Sequence, residues 1–413
     1  MIPRVAFFTD SFHEVNGVAL TSRQFAKFAR SRFYPFLAVT AGAENSTCKR
    51  GAYETCEIRT SRLALHLEHD LRFDLLFLRH RNRLRKALQA FKPDLVHVTG
   101  PGHLGMLGAM LAHELRIPLV ASWHTNVHEF GARRLEKQFR KWGIEWPRAV
   151  DTFEQFSLYW SLKFYKIARL LFAPNPELVS MLHEASGKPT ALMTRGIDTE
   201  LFNPDKRVSS GTFTIGYVGR LSAEKNVRLL VDIHKGLTRE GAAGHRFLIV
   251  GDGGEREWVR RNLPVADLPG TLTGEDLARA YASMDAFVFP SETDTFGNVV
   301  LEAQASGVPA VVSDKGGPRH LVTPGITGFV AQNLDDYVRG VQMLRDRPTH
   351  ERMSIAARDA MLGRSWSSVF ESVYREYVRI LASSRTATDS FGVPKTFSAP
   401  NVLIQNSLLR HRL

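Results

Sequence analysis

The sequence predicts an α/β protein with two doubly wound parallel-sheet domains. Short apolar runs alternate with helix-period segments from end to end, the pattern of crossover units that cover both faces of a sheet with helices. The alternation pauses at Asn203-Pro204-Asp205-Lys206 and Ser209-Ser210-Gly211 and then restarts. Those residues are loop formers, so a junction belongs there. The length, 413 residues, suits two domains or three. The expected division is 1–205, 206–365, a last helix over 366–382 packing back on the first domain, and a disordered tail over 383–413. Two such sheets facing each other put the ligand site in the cleft between them, outside the carboxyl ends of the strands.

In the first half the expected strands are Val5–Thr9, Phe36–Thr40, Leu95–Thr99, Pro118–Trp123, Leu170–Ala173 and Ala191–Thr194. Each is a short run dense in apolar residues, as a strand covered on both faces requires. Apolar residues at three- and four-residue spacing predict helices over Leu20–Ala29, Arg81–Phe91 and Leu104–Leu115. The second half repeats the pattern with strands Thr214–Val218, Arg246–Val250, Ala286–Phe289 and Ala310–Ser313. The last clear helix is Ser367–Leu381, with Trp366, Phe370, Val373, Tyr374 and Tyr377 along one side. Beyond Ala382 the pattern dissolves into Ser, Thr, Arg and Pro, and the short apolar patch Val402–Ile404 reads as part of that tail.

Composition excludes several classes. The chain is 44% hydrophobic and 23% charged, neither disordered nor fibrous. No apolar run approaches the roughly 18 residues of a membrane span. The opening apolar stretch meets Asp10 within ten residues, so it reads as a first strand rather than a signal peptide. Two cysteines, Cys48 and Cys56, are too few for a disulfide framework or a four-cysteine zinc site. A cytoplasmic location is expected. Net charge is +12, with 28 basic and 20 acidic side chains in 1–205 and 26 and 22 in the rest. That excess points to an anionic partner: nucleic acid, lipid headgroups or a phosphorylated substrate.

Four segments carry candidate chemistry. In Phe287–Ala303 a buried strand ends at Pro290 and a helix begins near Phe296-Gly297; the unpaired N–H groups of a helix start suit a phosphate. Asp294 and Glu302, with seven residues between them, suit sugar and ribose hydroxyls, and equally suit an N-cap Asp and a helix-surface Glu. In Ile215–Asn226 a strand runs into Gly219, then Arg220, then Lys225 at a helix start. Two cations there fit a diphosphate leaving group, or an ordinary basic loop. In Asp10–Ala19, Gly17 precedes a helix, but no G-x-G-x-x-G fingerprint is present, which lowers the case for a nicotinamide enzyme. His124 ends the Pro118–Trp123 run, with His128 four residues on. No H-E-x-x-H or D-x-D occurs, so no catalytic metal is expected.

Together these segments resemble the retaining glycosyltransferases of family four, which have the GT-B fold: two Rossmann-like domains about a central cleft. The resemblance covers roughly residues 4–382. It rests on Asn16-Gly17-Val18, Ser122-Trp123-His124-Thr125, Arg195–Phe202, Gly219–Asn226, Val250–Gly253 and Asp294…Glu302. It implies that Gly17 lies by the donor diphosphate and His124 by the transferred sugar. It implies that Gly219, Arg220 and Lys225 hold the diphosphate, and that the backbone of Phe296, Gly297, Asn298 and Val299 binds phosphate. Glu302 would bind the ribose. The family pattern usually has Glu where this chain has Asp294, one methylene shorter; Thr-Asp-Thr-Phe-Gly looks like a subgroup that includes mannosyltransferases and lipid glycosyltransferases. The implied reaction moves a hexose, first of all mannose from GDP-mannose, to an acceptor hydroxyl on a lipid or glycan with retention. It needs no metal and no cofactor beyond the donor. A UDP-sugar-dependent glucosyltransferase acting on a diacylglycerol-type lipid is the alternative.

Two basic amphipathic segments, Arg79–Phe91 and Arg133–Trp142 with Trp146 following, suit an anionic membrane surface. They suit a solvated helix face as well. A peripheral enzyme on the inner face of the membrane is the expectation drawn from them. A nucleic-acid-binding protein would need aromatic–basic interleaving that is absent here, and nucleic acid is not expected as a partner. An inactive interaction module is disfavoured by Arg220, Lys225 and Glu302.

Overall fold

The structure is a computed structural model that describes residues 2–14, 16–61, 63–66, 72–124, 147–208, 211–242 and 244–388. It contains two parallel-sheet α/β domains. The first sheet runs, edge to edge, Thr190–Leu192, Leu170–Ala173, Leu119–Ser122, Leu95–Val98, Val5–Thr9, Phe36–Gly42, Tyr53–Arg59 and Ser46–Arg50. Every pair is parallel except the last, where Ser46–Arg50 lies antiparallel to Tyr53–Arg59. The second sheet is wholly parallel: Ala266–Gly270, His245–Val250, Phe213–Val218, Ala286–Phe289, Ala310–Ser313 and Gly328–Ala331. A separate two-stranded ribbon pairs Leu65–His66 with Arg72–Phe73.

Every inner strand except Tyr53–Arg59 is one the apolar runs predicted, because a parallel strand sandwiched between helices must be apolar on both faces; Tyr53–Arg59, second from one edge, is rich in polar residues and was not expected. Val5–Thr9, Leu95–Val98, Leu119–Ser122, Leu170–Ala173, Ala286–Phe289 and Ala310–Ser313 are buried throughout. Several boundaries shift by a few residues: the first helix is Gly17–Ser31 rather than Leu20–Ala29, begun by Asn16, whose side chain accepts from the Ala19 N–H at 2.9 Å.

Among the described residues the core lies in three bodies. One fills the second domain around Tyr217, Phe247 and Phe287. Two flank the first sheet, and one of these is shared with the chain's last described helix, Trp366–Thr388. Phe370 of that helix stacks on Phe25 with ring centres 4.5 Å apart, and Val373 and Tyr377 are fully buried against Val5, Phe7 and Phe36. Each such side chain contributes roughly 1.5–3 kcal/mol by leaving water. This helix runs to Thr388, beyond both Leu381 and the 382 boundary expected from sequence.

The chain crosses between the sheets twice, and the crossings touch. The Ile197 N–H donates to the Arg364 carbonyl at 2.8 Å. A side chain at Gly196 would strike the Trp366 backbone nitrogen, 2.3 Å from an ideal Cβ. Arg358, in the Arg347–Leu362 helix before the second crossing, ties the first crossing to the second domain by donating to the carbonyls of Thr199, Phe202 and Ala305.

Candidate active site

Both sheets place their topological switch point at the same cleft. In the first, Val5–Thr9 has Phe36–Gly42 on one side and Leu95–Val98 on the other. In the second, Phe213–Val218 sits between His245–Val250 and Ala286–Phe289. The loops leaving these strands diverge, and ligands of such sheets bind in the gap.

The gap is bounded by two helix starts, one from each sheet. Gly17 opens Gly17–Ser31 and Asn298 opens Asn298–Ala305. An ideal Cβ on Gly17 would lie 3.4 Å from Asn298 Nδ2. Gly297, immediately before that helix, has φ +95°, a conformation that glycine adopts without strain. Phe296 is buried against the second domain's core. The loop before it is propped from below by Gly316 and Gly317, whose missing side chains leave room for the carbonyls of Glu292, Asp294 and Thr295. Two positive dipole ends facing one space repel each other and attract an anion.

On the rear wall, Gly219 follows its strand with φ +154°. The Arg220 carbonyl accepts from the Tyr217 hydroxyl at 2.9 Å, and the Arg220 side chain lies 4.0 Å from Glu224, a little under half exposed. Lys225 is committed to Asp294: its Nζ is 2.7 Å and 2.8 Å from the two carboxylate oxygens. Glu302 accepts from the Tyr281 hydroxyl at 2.8 Å on Oε2; among the described residues Oε1 has no partner. Burial raises the Glu302 pKa above its ordinary 4.5, and the Tyr281 hydrogen bond partly offsets this.

His124 is buried with both ring nitrogens engaged. Nδ1 meets Arg195 Nη2 at 2.8 Å and Nε2 meets Ser122 Oγ at 2.7 Å. Ser122 Oγ continues to His97 Nε2 at 3.0 Å, and His97 Nδ1 to the Tyr377 hydroxyl. Burial, then the Arg195 charge, then His97 hold the His124 pKa well below 6.5; burial takes His97 down to about 3. The His124 carbonyl accepts from Thr295 Oγ1 at 2.8 Å, across the cleft, and Asn175 Nδ2 donates to the Thr295 carbonyl at 2.7 Å.

The structure thus brings Gly17, His124, Lys225, Asp294 and the Phe296–Val299 turn to one cleft, with Gly219, Arg220 and Glu302 on the second domain's side of it. Sequence reasoning gave no role to Arg195, Thr295, Asn175, Tyr281, Ser122, His97 or Tyr377. His97 had one visible signal, a polar residue inside the apolar run Leu95–Val98. Asp10 caps the His103–Glu114 helix through the Leu104 N–H at 2.8 Å. In the basic Arg81–Phe91 helix, Arg81 and Arg85 both pair with Glu114 and Arg83 donates to Thr47, so that face is less cationic than its composition suggests. His128, Arg133–Trp142, Trp146 and Val402–Ile404 lie outside the described residues. Among the described residues no group of three His, Cys, Asp or Glu side chains is placed to hold a metal, and no helix is long and apolar enough to cross a membrane.

Two doubly wound domains with this cleft define the GT-B architecture. Solved structures similar to it include sucrose-phosphate synthase from Thermosynechococcus elongatus (TM-score 0.69, 19% identity, 92% of this chain and 99% of that one) and Anabaena HepE in complex with UDP and glucose (TM-score 0.62, 17% identity, 94% and 100%). Residues 15–201 match the model of Glycosyltransferase Family 4, and 212–346 that of Glycosyl transferases group 1. A GDP-mannose-dependent alpha-mannosyltransferase of Mycobacterium tuberculosis is 35% identical over 71% of this chain and 75% of its own length, and one of Corynebacterium glutamicum 28% identical over 96% and 92%. The sulfoquinovosyl transferase SQD2 of Arabidopsis thaliana is 28% identical over 71% and 58%. The chain belongs to glycosyltransferase family 4 and is a glycosyltransferase.

Proposed function

We propose that this enzyme transfers a hexose, mannose from GDP-mannose in the first instance, to a hydroxyl of a membrane lipid or glycan with retention at the anomeric carbon. The observation that carries the reading is the meeting of the two helix starts at Gly17 and Asn298, which suits a diphosphate between them. The mannosyltransferase relatives favour the guanosine donor. The sulfoquinovosyl transferase relative moves a different sugar, so a UDP-sugar-dependent glucosyltransferase acting on a diacylglycerol-type lipid stays the second reading. The same reading divides the chain after 205 and after 365.

Gly17, Gly219 and the Phe296–Val299 backbone line the diphosphate, Arg220 and Lys225 neutralise it, and Glu302 takes the ribose hydroxyls through Oε1. Asp294 reaches the sugar once Lys225 has turned to the phosphate. His124 has no nitrogen available as a base or nucleophile, so it contributes position: its carbonyl faces the other domain, where the sugar would displace Thr295 Oγ1. The bond between the anomeric carbon and the diphosphate oxygen breaks, and the acceptor oxygen bonds to that carbon on the same face. The acceptor proton passes to the departing phosphate oxygen, and a nucleoside diphosphate leaves. Losing Arg220 or Lys225 costs on the order of 10²–10³ in rate.

A membrane-linked acceptor is supported by the Pro147–Tyr165 helix, which presents Phe153, Phe156, Tyr159 and Trp160 to solvent with Lys163 beside Tyr159. Aromatic and cationic side chains on one exposed face suit a lipid headgroup layer. The deciding experiment supplies GDP- and UDP-sugars with lipid extracts, follows nucleoside diphosphate release, and reads the anomeric configuration of the product by NMR. Retention with GDP-mannose is the expected result. An inverted product, or no turnover with any donor, would overturn the reading.

A further inference from the structure

We propose that Arg195 is a positioning residue for the transfer, fixing the tautomer and orientation of His124. The proposal rests on the placement of His124 against the transferred sugar.

A guanidinium only donates. With Arg195 Nη2 2.8 Å from His124 Nδ1, that nitrogen carries the lone pair, and the ring's hydrogen sits on Nε2. It points to Ser122 Oγ, so the Ser122 hydroxyl turns its own hydrogen to His97 Nε2, and His97 donates from Nδ1 to the Tyr377 hydroxyl. One donor at the end thus sets the direction of every bond in the buried chain.

The hydrogen-bonded chain runs from the first crossing between domains to the helix that follows the second. Arg195 precedes Gly196, which abuts the Trp366 backbone. Tyr377 belongs to the helix that starts at Trp366. The His124 ring is therefore held at Nδ1 by the first crossing and at Nε2, through Ser122 and His97, by the helix that follows the second, and its carbonyl is presented to the cleft from a fixed ring.

Arg195 is 3% exposed, and among the described residues no carboxylate pairs with it and Nη1 has no hydrogen-bond partner. Its plane lies near the Phe296 ring, 5.7 Å from the centroid. Burial lowers its pKa only to about 10, so it stays charged at neutral pH. A buried cation without a counter-charge is destabilising, and packing alone would be better served by an apolar residue. What the cation supplies is an obligatory donor that no neutral side chain of that reach replaces. The titratable and charged groups acting on His124 are Arg195 and His97.

The test uses the full chain with Arg195→Met and Arg195→Lys. For Arg195→Met, kcat falls about 10–100-fold, the scale of a small misplacement of a reacting group, while the donor KM changes less than about 3-fold. Its acid limb moves to higher pH, because removing the neighbouring charge lets His124 take a proton more easily. Arg195→Lys keeps one cationic donor and restores part of kcat. Long-range ¹⁵N NMR of the His124 ring shows the Nε2–H form in the wild type and a mixture in Arg195→Met. A folded Arg195→Met enzyme with wild-type kcat and pH profile, or a wild-type His124 carrying its hydrogen on Nδ1, would overturn the proposal. If Arg195→Met does not fold, the wild-type tautomer and the Arg195→Lys rates decide. If the wild type turns over no donor, the assigned function falls, while the NMR still reads whether Arg195 sets the tautomer.

Discussion

Lys225 and Asp294 hold each other in a two-pronged ion pair, with Nζ within 2.8 Å of both carboxylate oxygens and both side chains mostly buried. The cation expected to meet the donor diphosphate and the carboxylate expected to meet the sugar are therefore partners before any donor arrives. On the proposed reading an incoming diphosphate draws Lys225 away and so releases Asp294 for the sugar. Charged pairs of this kind are coupled, so changing one member alters what the other binds.

Asp294→Asn tests that competition. Without the carboxylate, Lys225 is available to phosphate, and nucleoside diphosphate is expected to bind about 3–10-fold more tightly by titration calorimetry. Sugar transfer is expected to fall by on the order of 10², the loss of a preorganised contact. Weaker diphosphate binding in the variant would show that the pair does not limit Lys225.

Gly17→Ala separates fold from ligand. An added methyl would meet Asn298 Nδ2 at 3.4 Å, an ordinary contact, so the melting temperature is expected to stay within about 2 °C of wild type. The methyl occupies space beside both helix starts, where backbone approach to phosphate needs glycine. The donor KM is expected to rise about 10-fold. An unchanged KM would move the diphosphate elsewhere.

Glu302→Gln has opposite effects on stability and binding. Burial raises the Glu302 pKa above 4.5, so the folded state holds that proton more tightly than the unfolded chain. The penalty is complete once pH exceeds the folded pKa, fades as pH falls from there to 4.5, and is gone below 4.5. Glutamine is neutral and still accepts the Tyr281 hydroxyl. The variant is expected to melt higher than wild type at pH 7–8, with the gap closing towards pH 4, while the donor KM rises. Equal melting at every pH would contradict the assigned shift.

Phe156→Ser combined with Trp160→Ser tests the exposed aromatic face. Both side chains are more than half exposed, so little stability is at stake. Co-flotation with vesicles of anionic phospholipid is expected to fall about 10-fold, and turnover of a soluble acceptor analogue to stay the same. Undiminished flotation would remove this helix from the membrane-facing surface.

The central strands were legible because their burial demands continuous apolar runs. The edges were not. Ser46–Arg50 is exposed along its whole length, and Ala266–Gly270 contains Pro269; an edge strand is defined by backbone pairing to one neighbour, which leaves little mark on side-chain type. Gly328–Ala331 was missed at the opposite edge. In the site, glycine turns and charges after strands stood out because each is written in a few neighbouring residues.

By itself the sequence determined a twice-repeated strand–helix alternation and the residues that end its strands: Gly17, His124, Gly219, Arg220, Lys225 and the Asp294–Glu302 segment. Only the tertiary structure decided their partners. Lys225 and Asp294 are 69 residues apart, Arg195 and His124 71, and His97 and Tyr377 280. Periodicity and turn chemistry are local properties of a chain. Hydrogen bonds between distant side chains depend on which strands become neighbours and where the chain crosses between domains, and that is settled by packing the two cores together.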